Sequence, residues 1–291
     1  MQAVSRQFTL SDGRRLGYDD HGPPAGRPVF LFHGTPSSRY DWYLFGSDAL
    51  AERLGIRVIA PDRPGLGISD LEPSRRIADW PASVAMLADR LGIDRFAVLG
   101  YSGGGPYVTA CALLIPERLT SAAIVSGVGT YDGPGPVAGI DSVLLPFLSL
   151  ARDRPQLTRL IFRFVANSSR HLPVWPIIRT SGILPRPDYQ VFLQPRVRQV
   201  VLSAFLEAVR PGPDGVCLDT ALMVSPWGFD PRQVAMPVHF WHGQEDRFVS
   251  PAKVRYLADA LPKGRITLLP HEGHVSTLVN HAEEILRTLV V

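Results

Sequence analysis

The stretch Phe96-Ala97-Val98-Leu99-Gly100-Tyr101-Ser102-Gly103-Gly104-Gly105 decides how this chain is read. A short apolar run enters a serine flanked by glycines, and an Ala- and Leu-rich segment, Tyr107 to Leu114, follows and stops before Pro116. The first part has the composition of a strand buried on both faces. The second reads as a helix. A serine on a sharp strand-to-helix turn needs small neighbours, because the turn is strained and the helix packs close. Gly100 and Gly104 supply them, with Gly103 and Gly105 adding freedom. Gly-x-Ser-x-Gly alone is common by chance. The strand before it and the helix after it make Ser102 a candidate nucleophile.

Similar apolar runs lie on either side. They are Pro28–Phe32, Arg57–Ala60, Ala122–Val125, Val238–Trp241 and Ile266–Leu269. Gln7–Leu10 and Arg15–Tyr18 flank Ser11-Asp12-Gly13 and read as a hairpin. Helical spacing marks Trp80 to Leu91, with Gly92 as its stop, and Pro251 to Leu261, with Ser250 as its N-cap. Alternating strands and helices predict a parallel sheet covered on both sides. The alternation breaks after Asp132-Gly133-Pro134-Gly135-Pro136, a loop signature. Amphipathic, helix-like sequence follows, for example Gln156–Val165. The expected organisation is a core over residues 1–130, a helical insertion over 131–232 and the rest of the core over 233–291.

Composition narrows the function classes. The 291 residues are 45% hydrophobic and 20% charged, which supports a sizeable core and excludes a disordered chain. The net charge is +3, and Lys occurs only at Lys253 and Lys263. Basic residues are scattered among acids, so no nucleic-acid partner is expected. Cys111 and Cys217 form no metal or redox motif. Met1 to Leu10 holds no apolar signal core, and no stretch is long enough to span a bilayer. A cytoplasmic protein acting on a small molecule, with no membrane partner, is the expectation. Oligomeric state is not legible.

A serine attacks only when a base removes its proton and an acid orients that base. For a nucleophile on this kind of turn the chain order is Ser, acid, His. His274 follows the last apolar run, and Asp246 follows the run before it. Both fall where strand ends meet loops, the edge at which sites of open α/β sheets gather. His271 is an alternative base, and Glu245 and Asp132 are alternative acids. His242 is read as orienting the loop before Asp246, His239 as packed in its strand, and His21, His171 and His281 as surface or cap residues. An oxyanion hole needs two backbone N–H groups. Gly103 is the first candidate, and Thr35, after the Pro28–Phe32 run, is the second; its hydroxyl is a possible further donor. His33 is read as a support for that loop. His271-Glu272-Gly273-His274 lacks the spacing of a zinc motif, and Gly65-Leu66-Gly67 lacks that of a nucleotide loop, so no metal or cofactor is expected.

The ordered set HGTP (33–36), PDRPGLGISD (61–70), GYSGGG (100–105), WHGQED (241–246) and EGH (272–274) resembles the α/β-hydrolase superfamily over nearly the whole chain. The resemblance implies an α/β fold with a mostly parallel eight-stranded sheet flanked by helices, and a helical cap between the sixth and seventh strands. It also implies a Ser102–Asp246–His274 triad, an oxyanion hole from Thr35 and Gly103, and a structural role for Asp62 and Arg63. HGTPSSRYDW (33–42) fits the HGxPxxxxxW shape seen in epoxide hydrolases and haloalkane dehalogenases, which carry Asp at the elbow. A Ser there would form an ether that water cannot hydrolyse, so Ser102 argues for acyl transfer. Hydroxynitrile lyases of this fold add an active-site Lys. Lys253 and Lys263 lie in or beside a late helix, which argues against that chemistry.

The resulting expectation is a serine hydrolase, most simply a carboxylic ester, lactone or thioester hydrolase for a small to medium hydrophobic substrate. The rivals are C–C bond hydrolysis, perhydrolysis or amide hydrolysis on the same triad, and, from another class, a non-enzymatic ligand sensor. Among insertion aromatics Phe147, Phe162, Phe164, Trp175, Tyr189, Phe192, Phe205 and Trp227, about a third are expected to reach the cavity.

Overall fold

A computed structural model describes residues 5–129, 144–171, 176 and 182–290. Its strands are β1 (Arg6–Thr9), β2 (Arg15–His21), β3 (Arg27–Phe32), β4 (Ile56–Pro61), β5 (Phe96–Tyr101), β6 (Leu119–Val125), β7 (Val238–Gly243) and β8 (Gly264–Leu269). They form one eight-stranded sheet in the order β1-β2-β4-β3-β5-β6-β7-β8. β1 and β2 form the expected hairpin, with Phe8 opposite Leu16. β2 is antiparallel to β4, and every pairing from β4 through to β8 is parallel.

The apolar runs are continuous because both faces are covered. Along β3, Val29 and Leu31 pack into one core, while Phe30 and Phe32 pack into another on the opposite face. This is the period-two alternation of a strand with no solvent side. The Trp80–Arg90 and Gly105–Leu114 helices cover the Phe30 face, and the His274–Leu289 helix covers the other. Gly92 ends the Trp80 helix in the left-handed region, at φ +68°. Ser250 takes the N-cap position of the Pro251–Ala260 helix, but its side chain makes no cap hydrogen bond. β8 departs from the expected full burial. It is the sheet edge, so its residues are half-buried and Arg265 is exposed.

Strand order reverses where β3 lies between β4 and β5. Phe32 pairs with Gly100, so the loops after β3 and β5 leave the sheet side by side. That switch point is where open α/β sheets hold ligands. Between β6 and β7 the described residues form the helices Leu144–Asp153, Pro155–His171, Arg186–Phe192, Pro195–Ala208 and Asp214–Met223. The amphipathic run read from sequence lies in the second of these. The entry loop and Asp132 lie outside the described residues.

Candidate active site

Ser102 stands at the end of β5 with φ +50°, in the left-handed region that non-glycine residues rarely adopt. The turn is that tight because the following helix starts against the sheet. A Cβ on Gly104 would lie 2.2 Å from the Phe32 carbonyl oxygen. His274 begins its helix after β8, and Asp246 sits in the turn after β7. The structure brings these three together. Ser102 Oγ lies 3.0 Å from His274 Nε2, and His274 Nδ1 lies 2.8 Å from Asp246 Oδ2. The other oxygen of Asp246 accepts from the Phe248 and Val249 N–H groups at 2.8 and 2.9 Å. Ser126 donates to the His274 carbonyl at 2.9 Å.

The electrostatics match this arrangement. Burial alone would push His274 down, but the carboxylates of Asp246, Asp188 and Asp41 outweigh it and raise the imidazole above its ordinary value. Burial opposes the charge of Asp246, but His274 holds the carboxyl below its usual range.

Among the described residues the alternatives stand apart from Ser102. The His271 side chain is 92% exposed and faces Glu245 at 3.4 Å. His242 Nε2 is 3.0 Å from the Val249 carbonyl and 3.3 Å from Asp246, so its contacts are to Asp246 and the turn after it, not to the loop before it. His239 meets Thr267 Oγ1 at 2.8 Å, and His281 sits between Glu272 and Glu284. His21 corrects the sequence reading. It is 1% exposed, and its Nδ1 lies 2.9 Å from Asp48, beside Trp42 and Tyr43. The side chain of His171 lies outside the described residues.

Thr35 and Gly103 face each other beside Ser102: a Cβ on Gly103 would lie 3.1 Å from Thr35 N. The Thr35 hydroxyl is already committed. It donates to Asp219 and accepts from Arg63 Nη2 at 2.9 Å, so it is not the extra oxyanion donor considered from sequence. His33 supports the loop as expected, with Nδ1 2.8 Å from the Gly34 carbonyl and Nε2 accepting from Arg63 N at 3.1 Å.

Three buried carboxylates around the site carry no motif signal in the sequence. Asp41 accepts from Gly34 N at 2.7 Å and Ser37 Oγ at 2.5 Å, and burial pushes it up to about 6. Asp219, from the insertion, accepts from Arg63 Nη2 at 2.7 Å, Arg75 Nη2 at 2.5 Å and Tyr107 Oη at 2.8 Å. Arg63 in turn donates to the His33 and Gly34 carbonyls at 2.5 and 2.8 Å. Asp188, also from the insertion, meets the main chain at His274. Asp62 holds Arg39 at 2.7 Å and the Ile68 N–H at 3.1 Å, away from Ser102.

Ser102, Thr35, Gly103 and His274 open on a cavity of about 380 Å³. Its insertion wall is apolar, with Leu148, Leu184, Phe192, Val201, Phe205 and Met223. Of the insertion aromatics, Phe192 and Phe205 line it. Phe162 and Trp227 are buried elsewhere, and Phe164 is exposed. The Phe147 side chain and Trp175 lie outside the described residues. Lys253 also lines the cavity, which its place on a late helix had argued against.

A model of the alpha/beta hydrolase family matches residues 29–288. The chain is 38% identical over 122 residues to a non-heme chloroperoxidase of Streptomyces lividans, spanning 41% of this chain and only 44% of that relative. It is 34% identical over 279 residues to YcgS, an uncharacterized hydrolase of Bacillus subtilis, covering 94% of this chain and 93% of that one. An esterase of Thermogutta terrifontis matches over 100% of both chains with a TM-score of 0.68, at 23% identity, a likeness of fold. With the family match running from β3 into the last helix, and a near full-length relative beside it, this chain belongs to the alpha/beta hydrolase family.

Proposed function

We propose that this hydrolase cleaves carboxylic esters, or the related lactones and thioesters, through an acyl-enzyme on Ser102. The observation that carries the reading is the continuous relay from Ser102 Oγ through His274 to Asp246 at the cavity floor. His274 takes the Ser102 proton as Oγ attacks the acyl carbon. The N–H groups of Gly103 and Thr35 hold the oxyanion. The C–O bond to the leaving group then breaks, and His274 returns the proton to the departing alcohol. Water, deprotonated by His274, attacks the acyl-enzyme; the bond between Ser102 Oγ and the acyl carbon breaks, His274 returns the proton to Oγ, and the acid leaves. These steps use no metal or organic cofactor.

We read residues 131–232 as a cap over the core segments 1–130 and 233–291, its apolar wall favouring a small to medium hydrophobic substrate. No described helix is long and apolar enough to cross a membrane. A small-molecule substrate met in the cytoplasm is the simplest setting.

The reading is tested with aryl esters, amides, β-diketones, peroxide with a short acid, and a cyanohydrin, the last because Lys253 lines the cavity. Turnover greatest on esters is expected. Preference for β-diketones would reassign the reaction to C–C cleavage, and binding without any turnover would make the protein a sensor. A second expectation concerns pH. His274 must be neutral to act as base, and its pKa is raised. kcat/KM on an ester should therefore rise with pH through a midpoint above 6.5. A profile with no acid limb would mean that no imidazole acts as the base.

A further inference from the structure

The relay above leaves Asp188 without a part, although it is fully buried and comes from the Arg186–Phe192 helix of the insertion. Its carboxylate accepts from the N–H groups of His274 at 3.0 Å, Val275 at 2.9 Å and Ser276 at 2.9 Å. Those are the first three N–H groups of the last helix, which have no partner within the helix. The residue before them, Gly273, has no side chain with which to cap it. It also leaves the space Asp188 occupies, since a Cβ there would lie 2.6 Å from Asp188 Oδ1. The glycine of Glu272-Gly273-His274 is thus explained by a residue 86 positions earlier than His274.

We propose that Asp188 is a positioning residue for the reaction: reaching from the insertion, it fixes the main chain that carries His274 and sets a second negative charge behind the imidazole. The inference rests on His274 being the base for Ser102. A carboxylate that only tied the insertion down would need no particular place. This one grips the residue whose ring has to meet Ser102 and Asp246 at once. Its charge favours the imidazolium that forms as Ser102 gives up its proton, the direction in which Asp246 also acts.

The charged and titratable groups facing this cluster come from every side. Asp41 approaches from the loop after β3, Tyr101 from β5, His242 from β7 and Asp246 from the turn after it. Glu272 and His281 pair with each other at 3.2 Å. Burial raises Asp188 from its ordinary value, and the N–H groups of the helix end and His274 oppose that rise. The positive end of the helix dipole favours its charge further.

Asp188→Asn keeps an acceptor for the helix end and removes the charge. On an ester, kcat should fall about tenfold with KM within about twofold, and the acid limb of kcat/KM should move down by roughly one pH unit. The folded variant should still form a fluorophosphonate adduct on Ser102. A folded variant whose limb and kcat match wild type would overturn the positioning role. Gly273→Ala is the second variant, used if Asp188→Asn does not accumulate folded. It retains the carboxylate but forces it off the helix end, so the same fall in kcat and shift of the limb are expected, and an unchanged profile contradicts the proposal. Wild-type turnover by Ser102→Ala would instead remove the hydrolase reading on which the inference stands.

Discussion

Ser102→Ala is expected to lower kcat on an ester roughly 10⁴- to 10⁶-fold while the protein stays folded. In the proposed mechanism the loss is that large because Ser102, His274 and Asp246 act as one unit. Without Oγ there is no atom to carry the acyl group, and His274 and the oxyanion donors retain only their residual effect. The stability cost is small for a definite reason. Ser102 is only partly buried, and what its side chain loses is the hydrogen bond to His274. Its φ of +50° is imposed by the turn and is the same for either residue. Stopped-flow assay beside thermal unfolding separates the two effects. Equal turnover by variant and wild type would place the chemistry elsewhere.

Asp219→Ala is expected to be the most destabilising of the substitutions considered, by about 3–5 kcal/mol. Arg63, Arg75 and Asp219 are all almost wholly removed from solvent, and this single carboxylate serves both guanidiniums. Removing it leaves two buried cations with no counter-charge between them, as well as the Tyr107 and Thr35 hydroxyls without their acceptor. Urea unfolding with an unchanged slope and a lower midpoint is the expected signature. Burial opposes the charge of Asp219, but the two arginines hold its carboxyl far below the usual range. Its folded pKa is depressed, so its contribution is present above the ordinary value of 3.8 and is lost as pH falls below it. The gap between wild type and variant should narrow only in that acid range. Because Arg63 braces the Gly34 carbonyl and Thr35, the residual folded enzyme should also lose kcat. An unfolding midpoint equal to wild type would show that the pair is compensated elsewhere.

What was legible in the sequence follows from how local each signal is. The elbow at Ser102 is spelled out by adjacent residues, since the close approach of helix to strand demands glycines on the spot. The strands were legible because both faces are buried, and β8 was over-read because an edge strand keeps the same composition with only half the cover. Asp246 and His274 could be placed because each lies just past a strand. The missed residues act across the chain. Asp188 and Asp219 belong to the insertion, and their partners lie in the core. Nothing near them in sequence distinguishes them from exposed aspartates. Asp41 offered a faint clue, as the acid just before Trp42-Tyr43-Leu44-Phe45, but its role depends on the loop folding back to Gly34. Lys253 is similar: a helix position says little until the cavity under it is known.

These contacts also change what the insertion does. Asp188 holds the His274 main chain, Glu207 reaches Arg39 at 2.9 Å, and Asp219 holds Arg63 behind the Thr35 loop. The insertion therefore braces both halves of the proposed machinery as well as walling the cavity.

Ser102 is proposed to be a nucleophile activated by His274. The most direct measurement of that role is intact-protein and peptide mass spectrometry after exposure to a fluorophosphonate, with wild type and His274→Ala side by side. One adduct per wild-type chain is expected, located on Ser102, with labelling slowed by orders of magnitude in the folded variant. Folded wild-type protein that carries no adduct, or carries it on another residue, would contradict the proposal.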